Sequence, residues 1–318
     1  MSPLRIIIAG GSGFLGQVLR GHFTAQGAEV VVLTRSPRET NDNRRREVFW
    51  DAKTLGHWKA ELAGAQVVVN LTGRTVNCRY NARNRREILE SRVDSTRILG
   101  EAIARSSAPP KVWLNASTAT IYRHTFGAAW DESGCVAGTP EVKDEFSVEV
   151  AQAWEQALEA APTPHTRKIA LRAAMVLGHA QNSVFPTLRR LTRLGLGGKM
   201  GSGRQFVSWI HQLDFCRTID FIVANPAISG PVNLAAPEPL TNAEMMKTLR
   251  RLCGAPFGLP ATRWMLELGA FALRTETELI LKSRRVIPGR LARGGFEFRF
   301  PRFEDAARDL LPPAPRCT

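Results

Sequence analysis

A chain of 318 residues with 44% hydrophobic and 23% charged residues has the composition of a folded protein with room for a substantial core, which excludes a disordered or fibrous chain. The formal net charge is +14, yet the basic clusters Arg44-Arg45-Arg46, Arg83-Asn84-Arg85-Arg86 and Arg284-Arg285 carry no interleaved aromatics to stack bases, so a solvated basic surface is expected and a nucleic-acid partner is not. Cys78, Cys135, Cys216, Cys253 and Cys317 are scattered without a CxxC pair or a His cluster, so reduced thiols and no metal are expected.

The apolar run Ile6-Ile7-Ile8 is broken by Gly10 and Gly11. It is too short for a signal peptide or a membrane span, and a cytoplasmic location is expected. Its β-branched residues suit a strand buried on both faces of a parallel sheet. From Phe14 to Gln26, apolar residues recur at helical spacing and Gly27 supplies a stop. Glu29 to Leu33 is a second strand. The rhythm continues with strand Val67 to Val69, helix Arg86 to Arg105, strand Lys111 to Asn115, helix Glu145 to Ala160 and strand Lys168 to Arg172. Such alternation predicts right-handed βαβ crossovers and a doubly wound, Rossmann-type parallel α/β sheet. After Gly178 a glycine-rich stretch, Leu194 to Gly203, predicts loops over a site. Helices Asn242 to Leu252 and Thr262 to Lys282, then the aromatic segment Gly295 to Pro301, predict a small substrate-side cap. Residues 1–178 are thus expected to form the dinucleotide-binding domain, with some later segments returning to it, and 179–318 the substrate-side loops and cap.

Between the first strand and the first helix stands Gly10-Gly11-Ser12-Gly13-Phe14-Leu15-Gly16, a GxxGxxG pattern. Glycine at Gly10 and Gly13 permits a tight turn and lets backbone N–H groups approach a pyrophosphate, while Gly16 allows close packing of helix on strand. The helix N-terminus adds a favourable partial charge. A glycine triplet alone is a weak signal, but the strand before it and the helix after it are the context a dinucleotide turn requires. About 20 residues on, where a carboxylate would meet the ribose hydroxyls of NAD, the second strand ends in Leu33-Thr34-Arg35-Ser36. The planar fork of Arg35 suits a 2′-phosphate, and Thr34 and Ser36 add hydroxyl donors. The expected cofactor is NADP(H).

These residues resemble the extended short-chain dehydrogenase/reductase superfamily. More narrowly, the chain is similar from end to end to an "epimerase family" of bacteria and mitochondria that carries a C-terminal cap. Besides the glycine turn, the resemblance is carried by Asn70-Leu71-Thr72-Gly73, Ser91-Arg92, Val176-Leu177-Gly178, Gly201-Ser202-Gly203-Arg204-Gln205, Ser208-Trp209-Ile210-His211 and Val286-Ile287-Pro288. It implies that Leu71 and Thr72, with Gly73 beside them, border the adenine ribose and pyrophosphate. It also implies that Glu87 and Arg92, on the following helix, and Val176, beyond the sixth strand, lie near the cofactor. From the sequence alone, Arg92 suits a helical ion pair with Glu90 or Asp94 equally well. The superfamily often dimerises through the helices here placed at Arg86 to Arg105 and Glu145 to Ala160, so a monomer or a homodimer is expected.

The superfamily moves a hydride with a Tyr as acid/base, a Lys four residues on, and a Ser or Thr that holds the substrate hydroxyl. Ser117 and Thr118 end a strand, and Thr118 matches the hydroxyl position. The Tyr and Lys positions hold Phe146 and Val150 instead, and the chain contains only Tyr80 and Tyr122 as tyrosines. Tyr122 and His211 are the candidate replacements, although Tyr122 reads more readily as a packing residue of its loop and His211 at least as readily as a structural histidine bonded to backbone. Asp214 suits a helix cap. The sequence therefore supports an NADP(H)-dependent oxidoreductase or epimerase-like enzyme on an unknown small polar substrate, with Thr118, Tyr122 and His211 as its polar groups. The alternative is a non-catalytic NADP(H)-binding sensor or scaffold.

Overall fold

The computed structural model describes residues 3–39, 45–272 and 276–312; Arg44 and Cys317 lie outside them. In strand β1 (Arg5–Ala9) the side chains alternate between two layers. Ile6 and Ile8 pack with Leu19 and Phe23 on one face, and Ile7 and Ala9 with Leu99 and Ile103 on the other. With both faces covered, a continuous apolar strand is what the position demands.

Helix α1 (Phe14–Ala25) returns the chain to β2 (Glu29–Thr34), which leads outward to β3 (Arg45–Phe49). The chain then crosses to the far side of β1 with β4 (Val67–Asn70), α2 (Ala82–Ala104), β5 (Val112–Thr118), α3 (Glu145–Glu159) and β6 (Arg167–Ala173). Short strands β7 (Met175–Leu177), β8 (Phe206–Val207) and β9 (Trp209–His211), with helix α4 (Val184–Leu191) between the first two, precede α5 (Gln212–Ala224) and β10 (Gly230–Leu234). The seven-stranded sheet has the order β10-β6-β5-β4-β1-β2-β3, and every pairing in it is parallel. Strand order reverses between β1 and β4, which opens a crevice at the carboxyl ends of the strands where ligands bind in open α/β sheets.

The sheet is thus the expected Rossmann-type one, with two strands added at its edges. β3 is largely exposed and reads Arg-Arg-Glu-Val-Phe, so it lacks the apolar run that marks the inner strands. β10 contains Pro231, which an edge strand tolerates because one side of its backbone has no partner.

The remaining elements are β11 (Leu240–Thr241), α6 (Asn242–Cys253), α7 (Arg263–Ala272), α8 (Glu278–Leu281), α9 (Gly289–Arg293) and α10 (Phe303–Leu310). One helix was expected from Thr262 to Lys282. The structure instead has α7 and α8, with residues 273–275 outside those described. Thr241 and Glu244 form a capping box that starts α6, and Gly254, at φ +66°, ends it. Phe185, Trp209, Met245, Met246, Leu249, Phe303 and Leu310 make a separate apolar core for this C-terminal part.

Asp214 does not cap α5. It lies within the first turn, fully buried, and accepts the backbone N–H groups of Arg299 at 2.9 Å and Phe300 at 2.8 Å. The cap is His211, whose Nδ1 accepts the N–H of Leu213 at 3.1 Å. Among the described residues no helix is long and apolar enough to cross a membrane.

Candidate functional site

The turn after β1 begins with Gly10 at φ +77°, where a side chain would be strained and its Cβ would stand 2.9 Å from the backbone of Leu71 and Thr72. Gly11 packs on Val32, and a Cβ on Gly16 would meet the Gly11 backbone at 2.4 Å. Gly13 differs: a Cβ there would meet only Gly10 O, at 3.6 Å. The protein itself therefore leaves space above Gly13, at the N-terminus of α1.

Two cavities open along the crevice and share Gly10, Gly13 and Leu71 in their walls. One, of about 560 Å³, lies at the ends of β2 and β4 and is lined by Ser12, Thr34, Arg35, Thr72, Gly73 and Glu87. Trp50, Asp51 and Ala52, just beyond β3, and Arg74 and Thr75 complete it. The sequence reading missed those five, the first three because the strand that carries them has no apolar run. Arg35 is exposed and makes no ion pair among the described residues. The Thr72 hydroxyl is buried without a hydrogen-bond partner among the described residues. Glu87 instead pairs with Arg74 and Arg83. Ser36 is exposed and lines neither cavity.

The other cavity, of about 350 Å³, runs from Phe14, Leu15 and Gly16 past Thr118 to α3 and α8. Its walls are mostly apolar, with Val76, Ile88, Phe146, Val150 and Trp154 among them. Thr118 Oγ1 accepts the N–H of Thr120 at 3.1 Å, which fixes the hydroxyl at the rim. Ser117 donates to Glu155 at 2.6 Å, and Glu155 holds Arg172 through two hydrogen bonds.

Arg92 also lines this cavity. It forms no helical ion pair with Glu90 or Asp94. Its guanidinium donates to the carbonyls of Arg74 at 3.1 Å and Ile88 at 3.0 Å and lies 5.1 Å from the ring of Trp154. Burial lowers its pKa to about 10. A cation removed from water without a carboxylate partner favours an incoming anion.

The structure does not bring Tyr122, His211 or Val176 into either cavity. Tyr122 is 1% exposed; its hydroxyl donates to Asn233 at 2.8 Å and accepts from Arg172 at 2.8 Å. His211 is 2% exposed and stacks on Phe300, with Nε2 3.2 Å from Asp309. Val176 pairs with Ile210 between β7 and β9. Among the described residues no cluster of His, Cys, Asp and Glu could hold a metal ion.

A parallel sheet that reverses at a glycine turn, with paired cavities along the reversal, defines a Rossmann-type nucleotide-binding protein. Residues 6–235 match the NAD dependent epimerase/dehydratase family, and the chain belongs to it; residues 261–310 match a domain of unknown function, DUF1731. The chain is 30% identical to Epimerase family protein YfhF of Bacillus subtilis, over 97% of this chain and 98% of that protein. It is 32% identical to Epimerase family protein Mb2239 of Mycobacterium bovis, over 94% of each. A crystal structure of human epimerase family protein SDR39U1 with NADPH superposes with a TM-score of 0.83 at 28% identity, over 96% of this chain and 99% of that one.

Proposed function

We propose that the crevice binds NADP(H) and that the chain is an oxidoreductase or epimerase-like enzyme acting on a small substrate in the cavity beside Thr118. The observation that carries this reading is the pair of cavities joined at Gly10 and Gly13, one ending at Arg35, which makes no ion pair among the described residues, and the other at Thr118. In this assignment backbone N–H groups at Phe14 and Leu15 receive the pyrophosphate, and Arg35 with Thr34 receives the 2′-phosphate. The NADPH in the human relative supports it. Arg92, Gly73 and Leu71 flank the path between the cavities, and Thr118 orients a substrate oxygen. Bound NADP(H) would supply or accept a hydride. Tyr122, hydrogen-bonded through its hydroxyl, and His211, bonded through Nδ1, lie away from the cavities and act in packing and capping rather than catalysis. DUF1731 is the cap that closes the substrate side.

A binding protein without turnover is the second reading, favoured by Phe146 and Val150, which face the cavity where a phenol and an ammonium group would be expected. The cofactor assignment is tested by calorimetric titration. NADPH is expected to bind at least about tenfold more tightly than NADH, a difference of about 1.4 kcal/mol, and Arg35→Ala to erase most of that preference. Equal affinities in the wild-type protein would refute it.

A further inference from the structure

Helix α3 offers the cavity an apolar ring at Phe146, but a phenol meets that ring from another element. Tyr80, on the loop between β4 and α2, packs edge-on against Phe146 with ring centroids 5.0 Å apart and lines the same cavity as Thr118 and Ser147. Its backbone N–H donates to Glu276 at 2.8 Å, so the C-terminal part holds this loop in place. Ser147 and Glu278 both act on the ionisation of the Tyr80 hydroxyl. Ser147 in turn donates to Glu278 at 2.5 Å. Glu278 is 5% exposed, and its second carboxylate oxygen has no hydrogen-bond partner among the described residues.

We propose that Tyr80 is the proton donor of this cavity, taking from the loop after β4 the role that Phe146 leaves open on α3, with Ser147 and Glu278 as positioning residues. The inference rests on the reading of the crevice as an NADP(H) site. Burial, with the charge of Glu278, raises the Tyr80 pKa to about 12, while Ser147 opposes the rise. Cys78 and Glu276 push in the same upward direction. The phenol is therefore protonated at neutral pH, as a donor must be. Two cations couple to it, Arg92, which lines the same cavity, and the part-buried Arg284. In this proposal they stabilise a transient phenolate, the service a neighbouring Lys would otherwise perform.

In the reduction of a carbonyl, hydride from the reduced nicotinamide dinucleotide forms the new C–H bond and the C=O π pair moves to oxygen. That oxygen takes the Tyr80 proton to become a hydroxyl. The phenolate recovers its proton from water as the product leaves.

The test uses the whole protein carrying carbon-13 at the tyrosine Cζ. With two tyrosines in the chain there are two resonances, assigned with Tyr80→Phe and Tyr122→Phe. Saturating NADP⁺ is expected to shift the Tyr80 resonance and leave that of Tyr122 in place. Glu278→Gln should move the Tyr80 titration to lower pH, and Ser147→Ala to higher pH. With phenanthrenequinone as carbonyl probe, Tyr80→Phe should slow NADPH oxidation about a hundredfold while NADPH affinity stays within about twofold. A Tyr80 resonance indifferent to NADP⁺ and to both variants, in protein that binds NADP⁺, overturns the proposal, as does full turnover in Tyr80→Phe. If the wild-type protein binds no dinucleotide, the cofactor reading fails first and the proton donor falls with it. Where the probe is not turned over, the resonance decides.

Discussion

Gly10 and Gly13 are glycines for different reasons, and the difference can be measured. At Gly10 the backbone conformation and the approach of Leu71 both exclude a side chain; at Gly13 only a 3.6 Å contact stands nearby. Gly13→Val should therefore fold with an unfolding midpoint close to that of the wild type, while calorimetry finds no NADPH binding, because the branched side chain occupies the pyrophosphate path. Unchanged affinity in the folded variant would remove the site from this turn. Tyr122 invites the opposite expectation. Its hydroxyl joins Arg172 to Asn233 deep in the protein, so Tyr122→Phe should cost about 1–3 kcal/mol of stability and leave NADPH affinity intact. Denaturant melts and a binding titration of the one variant separate these effects. A stable variant that no longer binds would return Tyr122 to the site.

At the scale of elements, the inner strands were legible because a buried parallel strand needs an apolar run, as in β1, β2 and β4. The edge strands were not, since three of the five residues of β3 are charged and β10 carries a proline. The glycine turn was legible because the pattern that marks it is local. The meeting of Tyr80 with Phe146 was not, because the two residues lie far apart in sequence and only the folded sheet joins them. The cap of α5 shows the same limit: Asp214 is the commoner type of cap residue, yet tertiary contacts with Arg299 and Phe300 take it, and His211 serves instead.

That substitution has a pH signature. Burial, opposed by Asp309 and Asp214, depresses the His211 pKa from 6.5 to about 4. The unfolded chain takes up this proton below about pH 6.5 and the folded one only near 4, so the unfolded state binds more protons between those values. Stability present at neutral pH is then lost as pH falls through that window, by about 3 kcal/mol. Urea midpoints from pH 7 to 4 should fall less steeply in His211→Asn than in the wild type. Parallel slopes would contradict the depressed pKa.

Over the whole molecule, the C-terminal part is tied to the sheet by buried polar links as well as by its own core. Lys282 and Asp144 are both fully buried and paired, and Lys282 Nζ also donates to Thr120 O at 2.6 Å. Breaking such a pair strands a buried charge, so Lys282→Met should lower stability by about 3–5 kcal/mol. A loss below about 1 kcal/mol in thermal melts would show that Asp144 is readily neutralised or solvated.

These links also set the geometry of the crevice, since α8 supplies Leu279 to the cavity at the end of α3. On this reading a single NADP(H) molecule spans both cavities. A crystal structure of the wild-type protein grown with NADPH tests it most directly. The expected density has the 2′-phosphate within hydrogen-bonding distance of Arg35, the pyrophosphate over Gly13 and the nicotinamide in the cavity of Thr118 and Tyr80. A dinucleotide bound elsewhere, or one whose 2′-phosphate turns away from Arg35, would contradict the account.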